Sequence, residues 1–307
     1  MTFKLAEIVA AKEPLSMHHS VSATPLQSET DSEIFDNTVN LVPDATQTCQ
    51  IVRSSYLVER LFKTPENNLF NYVKFQLVND HIKALGLHTP RLMDIGCGLQ
   101  VAKRFLSALN PGIRYFGIDY ESTFVPDAVV DLNEPGALET PMDWSPNVVM
   151  LLDVLEHLHE DSDDLSEVVK HVAVTMPEDA QVIITVPQLY RLDRLKLPHL
   201  HYPEHKIRLT QAEWRAIIEK HFDILDVQGV GYLSVLPYLP MFSRHYKADN
   251  RLGRLFSHLR SHTFEKSWLK PADLFLSRTL GKIPLFKTLS NDILFVAKPR
   301  KSSRISN

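Results

Sequence analysis

The chain has 307 residues, of which 44% are hydrophobic and 23% charged, and its net charge is -4. That length holds one large α/β domain with additions, and the composition excludes fibrous, collagen-like and wholly disordered chains. The acidic balance argues against a general nucleic-acid binder, which needs positive surface to displace counterions from phosphate.

Residues 1–50 carry two lysines, Lys4 and Lys12, against seven acids, with little apolar periodicity, and read as an acidic, mostly disordered arm. A short helix over Met1 to Ala11 is the ordered alternative. Met1 to Glu13 lacks the apolar run and small-residue cleavage site of a signal peptide, and no later stretch reaches the roughly 18 apolar residues of a membrane span. The two cysteines, Cys49 and Cys97, stand in unlike contexts and support neither a disulfide framework nor a cysteine zinc site. A reducing, cytoplasmic setting is expected.

Residues 51–300 read as one domain. Phe70, Val73, Leu77, Val78, Ile82 and Leu85 recur at three- and four-residue spacing and predict a helix over Asn68 to Leu85. Strand-like apolar runs follow at Arg91 to Ile95, Ile113 to Ile118, Ala128 to Val130, Asn147 to Leu152, Gln181 to Val186 and Ile224 to Val230. Helical patterns at Leu99 to Leu109, Leu165 to Val174 and Gln211 to His221 separate several of them, so a parallel sheet covered on both faces is expected. Thr210 and Glu213 have the spacing of a capping box. A last strand, Asp292 to Lys298, comes after a long gap that must contain its own structure. Residues 301–307 form a basic tail.

In such sheets ligands bind outside the carboxyl ends of the strands. The first strand runs into Asp94-Ile95-Gly96-Cys97-Gly98, whose glycines permit a sharp turn and a close ligand approach ahead of a helix N-terminus. Val101 stands where a dinucleotide fingerprint would want a third glycine, which disfavours a nicotinamide cofactor. Asp119, followed by Tyr120 at the end of the second strand, is placed to accept hydrogen bonds from ribose hydroxyls. Asp131 and Leu132 follow the third strand as a carboxylate and an apolar side chain bordering a base. The fourth strand ends in Asp153-Val154-Leu155-Glu156-His157. Asp94 reads equally as a cap for the next helix or as a water-mediated ligand contact, and Cys97 as a small buried filler rather than a nucleophile.

Taken in order, these motifs resemble class I S-adenosylmethionine-dependent methyltransferases, in particular the group that includes ubiquinone-biosynthesis O-methyltransferases. The resemblance spans about Asn68 to Val230 plus the closing strand. It implies a Rossmann-like three-layer sandwich with a seven-stranded, mostly parallel sheet whose last strand is antiparallel. It also implies S-adenosyl-L-methionine as cofactor: Gly96 and Gly98 facing the cofactor backbone, Asp119 at the ribose, Asp131 and Leu132 at the adenine, and Val154 at the methionyl portion. Asp94, Cys97, Tyr120 and Asp153 complete the candidate set. Gln100 departs from the pattern, since many relatives have glycine there.

Methyl transfer from a sulfonium needs mainly alignment of the nucleophile. For a hydroxyl acceptor a histidine is the natural base, and the candidates are His157, His201 and His205. Pro203 argues against His201 and His205 sharing a helix as a metal pair, and no metal is expected. Between residues 241 and 290 ten Lys or Arg face three Asp or Glu. With the apolar stripe Leu252, Leu255, Phe256 and Leu259, and a second region through Leu274, Phe275, Leu280, Ile283, Leu285 and Phe286, this reads as a basic helical insertion over 233–290. It is either a lid packed on the sheet or a peripheral membrane contact. The function expected is methyl transfer, most naturally to oxygen of a small-molecule or lipid-linked acceptor; a non-catalytic adenosyl-binding scaffold and a nicotinamide oxidoreductase are the alternatives.

Overall fold

Asn68 opens the first helix, α1 (Leu69–Ala84), by accepting the Asn71 amide at 3.2 Å on its side chain. The structure, a computed structural model, describes residues 68–134, 138, 144–188, 204–236, 250–255 and 268–300. The acidic arm, the basic tail, Cys49, His201 and much of the insertion lie outside those residues.

Seven strands form one sheet: β1 (Arg91–Ile95), β2 (Arg114–Asp119), β3 (Ala128–Val129), β4 (Val148–Leu152), β5 (Gln181–Pro187), β6 (Phe222–Val230) and β7 (Asp292–Pro299), in the order β3-β2-β1-β4-β5-β7-β6. The first five pair in parallel, while β7 runs antiparallel between β5 and β6. This is the Rossmann-like sandwich with its reversed last strand. The helices after α1 are α2 (Val101–Leu109), α3 (Ser162–Thr175), α4 (Gln211–Glu219), α5 (Leu269–Thr279) and the short α6 (Pro284–Lys287).

Strand alternation sorts the core into two layers. Leu92, Val148, Met150, Ile183, Leu294 and Val296 pack with Val73, Leu77 and Ile82 of α1, Phe105 and Leu106 of α2 and Leu274 of α5. Met93, Ile95, Val149, Leu151, Val182, Ile184 and Phe295 pack with Leu165 and Val169 of α3 and Trp214 and Ile218 of α4. Each large side chain so buried contributes about 2 kcal/mol.

Element ends shift where capping or pairing outweighs periodicity. The third helix starts at Ser162, not Leu165, because Asp161 accepts the amides of Asp163 and Asp164. The sixth strand begins at Phe222, not Ile224, because Phe222 pairs with Pro299. The capping box forms as expected: the Thr210 amide donates to Glu213 at 2.8 Å and the Glu213 amide to Thr210 Oγ1 at 3.4 Å.

The described part of the insertion is fastened to the sheet. Asp273 of α5 accepts the Tyr232 and Leu233 amides at 2.6 and 3.0 Å, and Ser277 Oγ accepts the Gly231 amide at 3.0 Å. Arg278 makes two bonds to Asp80 of α1, at 2.8 and 3.0 Å. The expected second apolar region divides: Leu274 is buried, whereas its neighbour Phe275 and the later Ile283 and Leu285 are exposed. Among the described residues no helix is long and apolar enough to cross a membrane.

Candidate functional site

The turn from β1 into α2 passes through three left-handed residues, Gly96 (φ 71°), Gly98 (φ 51°) and Gln100 (φ 52°). Gly96 cannot be replaced freely, since a Cβ there would lie 2.6 Å from Val154 Cγ2. A Cβ on Gly98 would meet nothing within 4 Å, so the backbone there faces open space. The Gly96 and Cys97 amides are committed to the Ile118 carbonyl at 2.8 and 3.0 Å. Cys97 is buried against Gly117, and burial followed by the charge of Asp94 pushes its thiol well up, the opposite of an activated nucleophile.

Gln100 occupies a conformation that glycine adopts without penalty. Its side chain holds it there: Nε2 donates to the Val125 carbonyl at 2.7 Å, and Oε1 accepts Lys103 Nζ at 2.9 Å.

Asp94 does not cap α2, contrary to one of its two expected roles. The cap position falls at Gln100, which makes no side-chain cap bond, because the left-handed run delays the helix start to Val101. Asp94 instead turns into the α1 layer, where Tyr115 donates its hydroxyl to Oδ2 at 2.5 Å. Burial is the largest influence on its carboxyl and, with the charge of Asp119, outweighs the Tyr115 bond and Lys74, pushing the pKa up to about 7.

Asp119 ties the second strand to the glycine turn. Its Oδ2 accepts the Gly98 amide at 2.8 Å and its Oδ1 the Glu121 amide at 3.0 Å, while burial raises its pKa against both bonds. Tyr120 is 69% exposed, and partial burial, then the charges of Asp119, Glu121 and Asp131, raises its phenol above its ordinary value. Asp131 is exposed and closes a turn by accepting the Asn133 amide at 2.9 Å; Leu132 packs on the core.

Asp153 is left-handed, with φ 57°. Lys74 of α1, itself 2% exposed, pairs with its Oδ2, and Thr185 Oγ1 donates to Oδ1 at 2.7 Å while accepting the Asp153 amide at 3.1 Å. Because β7 is antiparallel, its first residue, Asp292, lands opposite Pro187 at the same edge. Burial, then the charge of Asp153, holds the Asp292 carboxyl well above its ordinary range. Lysine and its carboxylate keep the pair charged: Asp153 lies below its ordinary value although burial opposes this.

The next turn carries Glu156, fully buried, and His157. His157 Nδ1 faces the Glu204 carbonyl at 2.8 Å, and its ring meets that of His205 edge-on with centroids 4.8 Å apart. Burial, then His157, lowers the His205 pKa to about 4, which makes it neutral but a weak base. One ligand atom each from Glu156, His157 and His205 lie within 4.8 Å of one another.

The structure thus joins the glycine turn, Asp119, Asp153, Val154, His157 and His205 at one carboxyl edge. Lys74, Tyr115, Thr185 and Asp292 also belong there and were missed by sequence reasoning. Only Lys74 carried a signal, as a lysine among the apolar positions of α1.

No protein-family profile and no curated protein matches the chain. Among solved structures it is similar to an S-adenosylmethionine-dependent methyltransferase from Clostridium acetobutylicum ATCC 824, at 11% identity and TM-score 0.45, covering 82% of this chain and 98% of that one. It is similar to a SAM-dependent methyltransferase from Archaeoglobus fulgidus at 19% identity and TM-score 0.41, covering 73% and 94%. It is also similar to the magnesium protoporphyrin IX methyltransferase from Synechocystis PCC 6803 with bound SAH, at 19% identity and TM-score 0.40, covering 53% and 80%.

Proposed function

We propose that this chain is an S-adenosylmethionine-dependent methyltransferase that transfers a methyl group to oxygen of a small-molecule or lipid-linked acceptor. The observation that carries this reading is the bond from the Gly98 amide to Asp119 Oδ2 at 2.8 Å. It sets a carboxylate for ribose hydroxyls directly beside a turn whose outer face, at Gly98, is open.

The donor set suits a positively charged adenosyl ligand. Asp119 and Asp131 bring acceptors for the nucleoside, Tyr120 a flat exposed surface next to Asp119 in the chain, and Asp153 a half-buried carboxylate next to Val154, where the methionyl portion belongs. When bound, the cofactor supplies a methyl group on a sulfonium leaving group. The chain's own work is then placement: Val154 fixes the turn from below, and the Lys74–Asp153 pair holds the left-handed residue that precedes it. The basic residues of the insertion, among them Lys282 and Lys287 near exposed Ile283 and Leu285, support a peripheral contact with an anionic membrane that would present a lipid-linked acceptor.

Calorimetric titration with S-adenosylhomocysteine tests the donor site. Wild type is expected to bind in the micromolar range or tighter, and Asp119→Ala at least tenfold more weakly, with transfer of radiolabelled methyl to a lysate-derived acceptor pool lost in parallel. No binding by wild type, or unchanged binding by Asp119→Ala, would refute the reading.

A further inference from the structure

We propose that Gln100 is a positioning residue for the adenosine end of the cofactor site, and that it works by clasping the loop of residues 121–127 that follows β2. The inference rests on the adenosyl reading given above. It starts from two backbone outliers that are bonded to each other. Gln100 lies at φ 52° and Val125 at φ 54°, and Gln100 Nε2 donates to the Val125 carbonyl at 2.7 Å across 25 residues of chain.

The local sequence favours neither conformation. A β-branched residue resists the left-handed region, and the ring of Pro126 pushes the residue before it towards extended backbone. Left alone, Val125 would straighten. Outliers of this kind persist where the surroundings over-determine them, and they gather at ligand sites.

The clasp has a fixed polarity. Lys103 Nζ donates to Gln100 Oε1 at 2.9 Å. An ammonium only donates and a carbonyl only accepts, so the NH₂ group of the Gln100 amide is the end that faces Val125. Gln100 is 3% exposed, and a bond sheltered from water in this way is stronger than one in contact with it.

What the clasp holds is the wall beside the carboxylate assigned to the ribose. At the start of the loop the Glu121 amide donates to Asp119 Oδ1 at 3.0 Å, and the Gly98 amide donates to Oδ2 at 2.8 Å, so backbone amides aim both oxygens. At its far end Asp127 Oδ2 accepts the Gly117 amide at 2.7 Å, and the Asp127 amide donates to the Gly117 carbonyl at 2.8 Å. Between these ends the chain turns tightly, with the Val125 amide on the Ser122 carbonyl at 3.0 Å, and Gln100 takes hold of that turn at its last residue. If Val125 straightened, the turn would open, Glu121 would leave Asp119, and the carboxylate could swing. A ligand would then have to order the loop as it bound, which costs affinity. Where the resemblance calls for glycine, this chain thus carries the side chain that keeps its adenosine pocket formed in advance.

The test uses the full chain and two probes, S-adenosylhomocysteine and 5′-methylthioadenosine, which keeps the nucleoside but lacks the amino-acid end. Gln100→Glu preserves length, backbone and the bond to Lys103 but points an acceptor at the Val125 carbonyl. It is expected to weaken both probes by the same factor, at least tenfold, and to speed hydrogen exchange of the amides of residues 121–125. Adding Val125→Gly, which adopts the left-handed path without strain, is expected to bring S-adenosylhomocysteine affinity back to within about threefold of wild type. A role confined to stability would lower the melting temperature and leave both affinities unchanged well below it. Should Gln100→Glu misfold, Gln100→Met, which keeps the length and loses both bonds, takes its place. Unchanged affinity in the single variant, loss for S-adenosylhomocysteine alone, or no recovery in the double variant overturns the proposal. Absence of S-adenosylhomocysteine binding in wild type sinks the donor-site reading and this proposal with it, whereas binding that the single variant leaves unchanged sinks this proposal alone.

Discussion

The ammonium of Lys74, itself buried, and the half-buried carboxylate of Asp153 form an ion pair between residues 79 apart in sequence. It joins α1, which precedes the sheet, to the residue that ends β4, and it holds a non-glycine residue at φ 57°. Left-handed conformations of this kind persist where the surroundings over-determine them.

Removing one member of this pair is expected to cost far more than removing both. Lys74→Met leaves the half-buried Asp153 charge beside Asp292 without its counter-ion, a loss of roughly 2 to 4 kcal/mol, somewhat below that of a fully buried pair. Adding Asp153→Asn to Lys74→Met should recover at least half of that loss. Urea unfolding of the two single variants and the double variant measures the coupling; strictly additive losses would mean that the pair does not hold the turn.

Asp94 should make native stability fall as pH rises from about 4 to about 7. The fold keeps its carboxyl protonated up to about pH 7, whereas in the unfolded chain it ionises near 3.9. The native state therefore binds more protons across that window, so stability declines with rising pH and levels off above it. The full effect of this group is on the order of 4 kcal/mol. Asp94→Asn, whose amide oxygen still accepts the Tyr115 hydroxyl, should flatten that part of the profile. Thermal melts of both proteins between pH 4 and 8 provide the comparison, and identical slopes would rule out the assignment.

Gln100 offers a subtler comparison. Gln100→Ala keeps the left-handed strain and loses the bonds to Val125 and Lys103, and is expected to destabilise the protein by about 1 to 2 kcal/mol. Gln100→Gly loses the same bonds but removes a backbone cost of about 1 kcal/mol, so it should lie closer to wild type. Glycine proving worse than alanine would show that the side chain, not the backbone, decides the turn.

The expected adenosyl edge was largely legible in the sequence. The strands, the glycine turn, Asp119 and the Thr210–Glu213 box stand at or within a few residues of where pattern and spacing place them. The Asp94 cap was not borne out, because Gln100 takes the left-handed path and the helix starts at Val101, not Leu99. The basic insertion was legible only as composition: the sequence reads Leu274 and Phe275 as parts of one apolar region, yet one is buried and the other exposed, since adjacent helix positions face different ways.

Local order is what the sequence determined by itself. Periodicity, caps and tight turns arise from residues within about four positions of one another. The pairing of Lys74 with Asp153, the arrival of Asp292 beside them and the meeting of His157 with His205 were decided by tertiary structure alone. Each depends on how α1 crosses the sheet, on the reversed direction of β7, or on two loops bonded back to back, and no repeat or spacing along the chain encodes those crossings.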